Sequence, residues 1–213
     1  MFVLKAVRVG VVADTHCPEF LQRLPARVPE LLRGVDLILH AGDVGGPAGG
    51  ETLLELRRLA PVQAVRGDHD DGLELPESVM VPVAGKQIAL VHGNRNRLIE
   101  EPVTFVGTVS LGHLWPSPGI DRSLRRRFPA ADVIVYGHTH RAAARRVGGT
   151  LIFNPGAVYQ VTPAEALLRL ARRPGWFEWS WLQVVRHRRR WEPASVGMLT
   201  FSEEGVTAEV LPL

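Results

Sequence analysis

Short apolar runs, each cut off by a polar or glycine-rich turn, punctuate the first half of the chain. Val9 to Ala13 is the first, followed by Leu37 to Leu39, Val62 to Val65 and Ile88 to Val91, and a later one covers Val133 to Tyr136. Short apolar runs of this length read as strands. Between them, a helix is expected from about Phe20 to Arg33, although Pro25 and Pro29 break or kink it. Glu51 to Leu59 predicts a short helix after the glycine-rich loop Gly45 to Gly50, with Leu53, Leu54 and Leu56 available for packing. Val79 to Val83 and Gln87 to Val91 predict a hairpin turning at Ala84-Gly85. Alternating βαβα followed by hairpins predicts an α/β sandwich of sheets and helices with mixed strand directions.

Regularity falls after residue 94. Residues 94–120 are rich in Pro and Gly and read as a lid or substrate loop. Arg122 to Phe128 is a candidate helix. Ala142 to Val147 and Thr150 to Phe153 predict a hairpin about Gly148-Gly149, and Gly197 to Phe201 and Val206 to Leu211 another about Glu204-Gly205. Segment 161–192 combines a helix-like run, Pro163 to Arg173, with Trp176, Phe177, Trp179 and Trp181 at near-alternate spacing. It reads first as a helix and strand packed on the sandwich. The chain then forms one domain, 1–213, with 161–192 as an atypical inserted segment; no internal repeat is evident.

Composition narrows the class. The 213 residues are 46% hydrophobic and 22% charged, ordinary values for a soluble globular protein. Phe2-Val3-Leu4 is too short to be a signal-peptide core, and no apolar run approaches the ~18–20 residues that span a bilayer. The single cysteine, Cys17, excludes an internal disulfide and points to the reducing cytoplasm. The net charge is only +3, and its arginines cluster at 125–127, 145–146 and 186–190. Such clusters read as solvated surface, and nucleic acid is not favoured as a partner.

The chemistry lies where the strands end. The five runs lead into Asp14-Thr15-His16, His40-Ala41-Gly42-Asp43, Arg66-Gly67-Asp68-His69-Asp70, His92-Gly93-Asn94 and Gly137-His138-Thr139-His140. Loops at the carboxyl ends of strands in an open α/β sheet share one edge, where ligands bind. Asp and His together are ligands suited to transition metals. Two divalent ions ~3.5–4 Å apart would supply the nucleophile and charge neutralisation that phosphate-ester hydrolysis needs. Asp14-x-His16 and His138-x-His140 would place ligand pairs on one side of a strand end. Asp43 is the natural bridge, with Asp68 and His92 available for the second ion. His40, His113 and a buried Cys17 read as structural. Gly45 to Gly50 lacks the Gly-Lys-Ser/Thr of a P-loop, and no Gly-x-Ser-x-Gly is present.

The ordered set Asp14-x-His16, Gly42-Asp43, Gly67-Asp68-His69-Asp70, His92-Gly93, Gly137-His138-Thr139-His140 and Asn154-Pro155-Gly156 resembles the calcineurin-like metallophosphoesterase superfamily. The likeness is greatest to its small prokaryotic phosphodiesterase branch and covers about residues 7–160 and the closing hairpin. It implies a four-layer αββα sandwich of mixed sheets flanked by helices. It also implies a dinuclear centre of Mn, Fe, Ni or Zn whose bridging hydroxide attacks phosphorus in line. One ion would take Asp14, His16, Asp43 and His140, and the other Asp43, Asp68, His92 and His138. The family normally has Asn at the position of Asp68; a carboxylate ligates metal but cannot donate to phosphate. Tighter metal binding and weaker phosphate attraction are expected. His69-Asp70 resembles the form in which the histidine protonates the leaving oxygen and the carboxylate orients it. Asn94 stands where many relatives carry a histidine and would donate to phosphate, and Arg66 is a candidate phosphate clamp.

The expected activity is therefore phosphoester hydrolysis, with a small-molecule phosphodiester favoured over a monoester. The alternative is a weakly active or inactive scaffold that keeps the fold for protein interaction. Segment 161–192 carries the partner expectations: a second copy or partner protein first, then an anionic membrane surface, then single-stranded nucleic acid.

Overall fold

The computed structural model describes residues 6–93, 105, 106, 110, 119–187 and 192–213. These fall into two compact units, one drawn from 1–93, 121–159 and 193–213, the other from 94–120 and 160–192. Among the described residues the first unit holds every strand: β1 (Val7–Val12), β2 (Leu37–His40), β3 (Val62–Ala64), β4 (Ser78–Val83), β5 (Lys86–Val91), β6 (Val133–Val135), β7 (Ala143–Val147), β8 (Thr150–Asn154), β9 (Ser195–Ser202) and β10 (Gly205–Pro212). Its helices are α1 (Arg27–Leu31), α2 (Gly50–Arg57) and, from Asp121 onward, α3 (Ile120–Arg127).

The strands form two five-stranded sheets, ordered β10-β9-β1-β2-β3 and β4-β5-β6-β8-β7. β1, β2 and β3 run parallel, whereas β9 is antiparallel to β1 and β10 to β9. In the second sheet β5, β6 and β8 are parallel and the outer strands β4 and β7 antiparallel. Both sheets are therefore mixed and flanked by helices, the αββα arrangement expected.

The two sheets share a core. Val9, Val11 and Leu39 of the first pack in one cluster with Ile88, Leu90, Val135 and Phe153 of the second. Val12 and Ile38 face the other way, onto Val28 and Leu32 at α1 and Leu56 of α2. Strand β1 is thus buried on both faces, which explains why its sequence is continuously apolar instead of alternating.

Two expected elements differ. The helix expected from Phe20 to Arg33 shrinks to Arg27–Leu31, with turns and bends over 17–23. Pro25 sits just before it and Pro29 lies within its first turn, where a missing N–H is tolerated. Trp176, Trp179 and Trp181 lie on a helix, not a strand. In the second unit α4 (Pro163–Ala171) is capped by Thr162, whose hydroxyl accepts from Glu165 N at 3.0 Å, and α5 spans Trp176–His187. Arg169 joins these helices, donating to Glu178 at 2.6 Å and lying 5.8 Å from the Trp181 ring. The lid or substrate loop expected at 94–120 lies largely outside the described residues, as do Asn94, His113 and Arg188 to Arg190. Among the described residues no helix is long and apolar enough to cross a membrane.

His40 is fully buried at the end of β2. Its Nε2 lies 3.0 Å from the hydroxyl of Thr15, which donates to Val44 O at 2.6 Å. Burial pushes its imidazole down to about 3. Above pH ~6.5 the ring is neutral whether the chain is folded or not; below it only the unfolded chain takes the proton readily. Wild-type stability should therefore fall as pH drops from about 6.5 towards 3, by up to ~1.4 kcal/mol per pH unit from this ring. Denaturant midpoints of wild type and His40→Gln from pH 7 to pH 4 check this: the variant should show the shallower decline.

Candidate metal centre

The parallel strands deliver their loops to one edge. Backbone bonds hold those loops in register: Asp14 N donates to Gly42 O at 3.0 Å, His16 N to Asp43 O at 3.0 Å, and Gly137 N to His92 O at 3.0 Å. Buried Asn154 donates to Gly137 O at 2.8 Å and to Thr139 Oγ1 at 3.1 Å, fixing the loop that carries His138 and His140.

The local conformation corrects one expectation. Asp14 and His16 do not reach the pocket by strand alternation, because β1 ends at Val12. Asp14, His16, Asp43, His138 and His140 instead adopt φ of 50°, 45°, 53°, 64° and 52°. Among the described non-glycine residues only Ala84 and Arg173 also have positive φ. Each such residue costs about 1–3 kcal/mol, and strain of this kind concentrates at functional sites. Asp and His accept the left-handed region better than most residues. Gly42 lies beside them at φ +90°, and a Cβ there would come within 2.6 Å of His92 Nδ1. Only glycine leaves room for that ring.

Asp43 occupies the middle. Its Oδ1 accepts from His69 N at 2.9 Å, while Oδ2 lies 3.7 Å from His16 Nε2 and 3.4 Å from His92 Nε2. On one side His140 Nε2 is 3.6 Å from Asp14 Oδ1. On the other, Asp68 Oδ2 is 3.1 Å from His138 Nδ1 and 3.9 Å from His92 Nε2. Ligand atoms of Asp14, His16 and His140 lie within 4.8 Å of one another, as do those of Asp68, His92 and His138, and of Asp14, Asp43 and His92. All seven expected ligands thus meet in one cluster.

The electrostatics suit a cation. Asp14 is completely buried, which pushes its carboxyl up to about 7. For Asp43, burial also favours the neutral acid, but His92 and His16 outweigh it and hold the carboxyl far below the usual range. Burial opposes charge on His92, yet Asp43 and Asp14 lift that ring to about 9. Burial holds His16 and His140 down, in the neutral form that ligates metal. Of the three buried side-chain atoms without a hydrogen-bond partner among the described residues, two are Asp14 Oδ2 and His92 Nε2, and the third is His40 Nδ1. His92 Nδ1 donates to Ala41 O at 2.8 Å, so an ion that displaces the Nε2 proton meets that nitrogen's lone pair aimed inward. Buried polar atoms without a partner are costly in a protein interior. A divalent ion satisfies Asp14 Oδ2 and His92 Nε2, so the residues fit one.

Other candidates fare differently. His69 lies at the rim with its ring 4.7 Å from that of His16, centre to centre. Asp70 does not orient it: its buried carboxylate accepts from Val44 N at 2.8 Å, Gly45 N at 3.3 Å and Gly67 N at 2.9 Å. The carboxylate on His69 is Glu19, whose Oε1 is 2.9 Å from Nδ1. Glu19 Oε2 is in turn 3.2 Å from His16 Nδ1. Sequence reasoning missed Glu19; its one signal was an acid three residues beyond a candidate ligand histidine, across Pro18. Arg66 is exposed, its guanidinium 3.4 Å from Glu77, an alternative to clamping phosphate.

Comparison with known proteins agrees with this geometry. The family model described as the calcineurin-like phosphoesterase superfamily domain matches residues 7–171. A probable metallophosphoesterase of Methanothermobacter thermautotrophicus is 34% identical over 151 residues, covering 70% of this chain and 76% of that one. Among solved structures, vacuolar protein sorting 29 from Cryptosporidium parvum aligns with a TM-score of 0.63 at 21% identity, covering 96% of each chain. A novel archaeal phosphodiesterase aligns at 0.53 and 18%, covering 96% of this chain and 100% of that one. The structures share the fold; the family match and the archaeal relative place the chain itself in the calcineurin-like phosphoesterase superfamily.

Proposed function

We propose that this protein is a dinuclear metal-dependent phosphoesterase that prefers phosphodiesters. The observation that carries the reading is the single oxygen Asp43 Oδ2 lying between His16 Nε2 and His92 Nε2, at 3.7 and 3.4 Å. Asp14, His16, Asp43 and His140 would hold one divalent ion, and Asp43, Asp68, His92 and His138 the second. Such a pair supplies, when bound, a water activated near neutral pH and positive charge for the phosphoryl oxygens. Mn, Fe, Ni and Zn all suit a mixed imidazole and carboxylate set.

The chain's own residues would set substrate preference. Asp14, Asp43 and Asp68 place three carboxylates around two divalent ions, leaving roughly one net positive charge. That field suits the monoanion of a diester better than the dianion of a monoester. Asp68 can only accept, so donors to the phosphate come from other groups. His69 stands at the rim to protonate the leaving oxygen. A protein sharing the fold is described as an archaeal phosphodiesterase.

The test adds Mn²⁺, Ni²⁺ or Zn²⁺ to metal-stripped protein and assays bis(p-nitrophenyl) phosphate beside p-nitrophenyl phosphate. Metal-dependent turnover, faster on the diester, is expected. Folded protein inert with every metal would overturn the reading in favour of a scaffold for protein interaction. One observation favours that second reading: the same fold serves a protein named for vacuolar sorting.

A further inference from the structure

We propose that Glu19 is a positioning residue for the phosphoesterase chemistry, one carboxylate that sets the tautomers of two histidines with different tasks. The inference rests on the function proposed above, and its geometry is independent of it. The two oxygens of Glu19 are divided between rings: Oε1 is 2.9 Å from His69 Nδ1 and Oε2 is 3.2 Å from His16 Nδ1. An ionised carboxylate only accepts, so each ring donates its Nδ1–H to it. His16 is then left with a bare Nε2, the nitrogen 3.7 Å from Asp43 Oδ2. His69 is left with Nε2 as the nitrogen that exchanges a proton with substrate.

The turn after the first ligand loop makes this arrangement. Phe20 N and Leu21 N both donate to His16 O, at 2.7 and 3.1 Å, which folds residue 19 back over the ring of residue 16. The two imidazoles stand edge to face, their planes 86° apart. Phe20 flanks both, its ring centre 5.1 Å from that of His16 and 5.8 Å from that of His69. Glu19 is 29% exposed, so it reaches both rings from the rim. The carboxylate next to His69 in sequence, Asp70, is occupied by three backbone N–H groups. Glu19 therefore takes the orienting part that the motif alone assigns to Asp70.

In the step concerned, water oxygen bonds to phosphorus and the bond from phosphorus to the leaving oxygen breaks. The Nε2 proton of His69 passes to that oxygen, and solvent carries a proton of the attacking water back to the ring. A poor leaving group needs this proton more than p-nitrophenolate does.

The experiment compares wild type, Glu19→Gln and His69→Gln. Heteronuclear imidazole spectra of the zinc-loaded protein, above the titration of His69, read the tautomers directly. Wild type should show Nδ1–H at both His16 and His69, and Glu19→Gln should lose the preference at His69. An Nε2–H tautomer at wild-type His69 would overturn the proposal whatever the activity. Zinc affinity should weaken about 10-fold in Glu19→Gln through His16. At saturating Mn²⁺, methyl phenyl phosphate should lose about tenfold more turnover than methyl p-nitrophenyl phosphate, in both variants. Equal losses on the two esters would reduce Glu19 to a structural contact and end the proposal. A third equivalent of metal bound by wild type and lost in Glu19→Gln would also overturn it. Wild type without turnover on either ester would remove the proposed function, while the spectra would still decide the role of Glu19.

Discussion

Asp43→Asn should lower kcat/KM for a phosphodiester by at least about 10³-fold, ~4 kcal/mol of transition-state stabilisation, while the protein stays folded. The fold tolerates the change for two reasons. Residue 43 sits at φ 53°, a region Asn enters as readily as Asp. The amide oxygen can still accept from His69 N, now 2.9 Å from Oδ1. The loss falls on the other oxygen. Oδ2 faces His16 and His92, and an amide NH₂ placed there carries no negative charge and offers metal no lone pair. Loss of the carboxylate that lifts His92 to about 9 leaves burial to push that ring towards the neutral, ligating form, which does not replace the lost oxygen. The variant should bind less Mn²⁺ by equilibrium dialysis, show near-native circular dichroism and turn over slowly at every metal concentration. Wild-type turnover at full metal occupancy would remove Asp43 from the centre of the mechanism.

Asp70→Ala should destabilise the protein by about 3–5 kcal/mol, among the larger effects of a single substitution. The side chain is fully buried and its two oxygens satisfy the N–H groups of Val44, Gly45 and Gly67. Alanine strips a partner from three backbone donors and leaves a cavity. Those donors belong to the two loops that carry Asp43 and Asp68, so metal affinity should fall along with stability. Denaturant unfolding of metal-stripped protein isolates the structural part. If Asp70 instead served chemistry by orienting His69, the unfolding midpoint would hold and kcat alone would drop. Asp70→Asn should lie between, since one oxygen remains to accept and the new NH₂ opposes a backbone donor.

The arginine clusters show how surface charge is absorbed locally. Arg145 lies 3.2 Å from Asp121, Arg146 donates to Val206 O at 3.0 Å, and Arg125 caps the end of α3 at Pro129 O, 2.8 Å away. Surface contacts of this kind contribute little stability, ~1 kcal/mol or less each.

Strand positions and the seven clustered carboxylates and imidazoles were legible along the chain, for a simple physical reason. Strands buried on both faces must be continuously apolar, so a polar residue that ends one stands out, and parallel strands deliver such ends to a common edge. The same logic made the hairpins visible, through Ala84-Gly85, Gly148-Gly149 and Glu204-Gly205. Elsewhere local pattern was a poor guide. Trp176, Trp179 and Trp181 suggested a strand, yet helical backbone spans Trp176–His187. Phe20 to Arg33 suggested one helix, yet only Arg27–Leu31 is helical, and the turn over 17–20 just before that segment brings Glu19 onto two histidines.

What the sequence by itself determined was therefore the set of candidate ligating side chains, the strands that end beside them and the family the chain belongs to. What only the tertiary structure decided was how those side chains are aimed. Five of them turn through positive φ, a conformation that neighbouring residues do not encode and that packed loops impose. Which carboxylate serves which histidine was likewise beyond local pattern. Asp70 is next to His69 in the chain but spends both oxygens on buried backbone N–H groups, and Glu19, 50 residues away, makes the contact. Hydrogen bonds in a buried loop go to whichever unsatisfied donor is nearest in space, and distance along the chain does not carry that information.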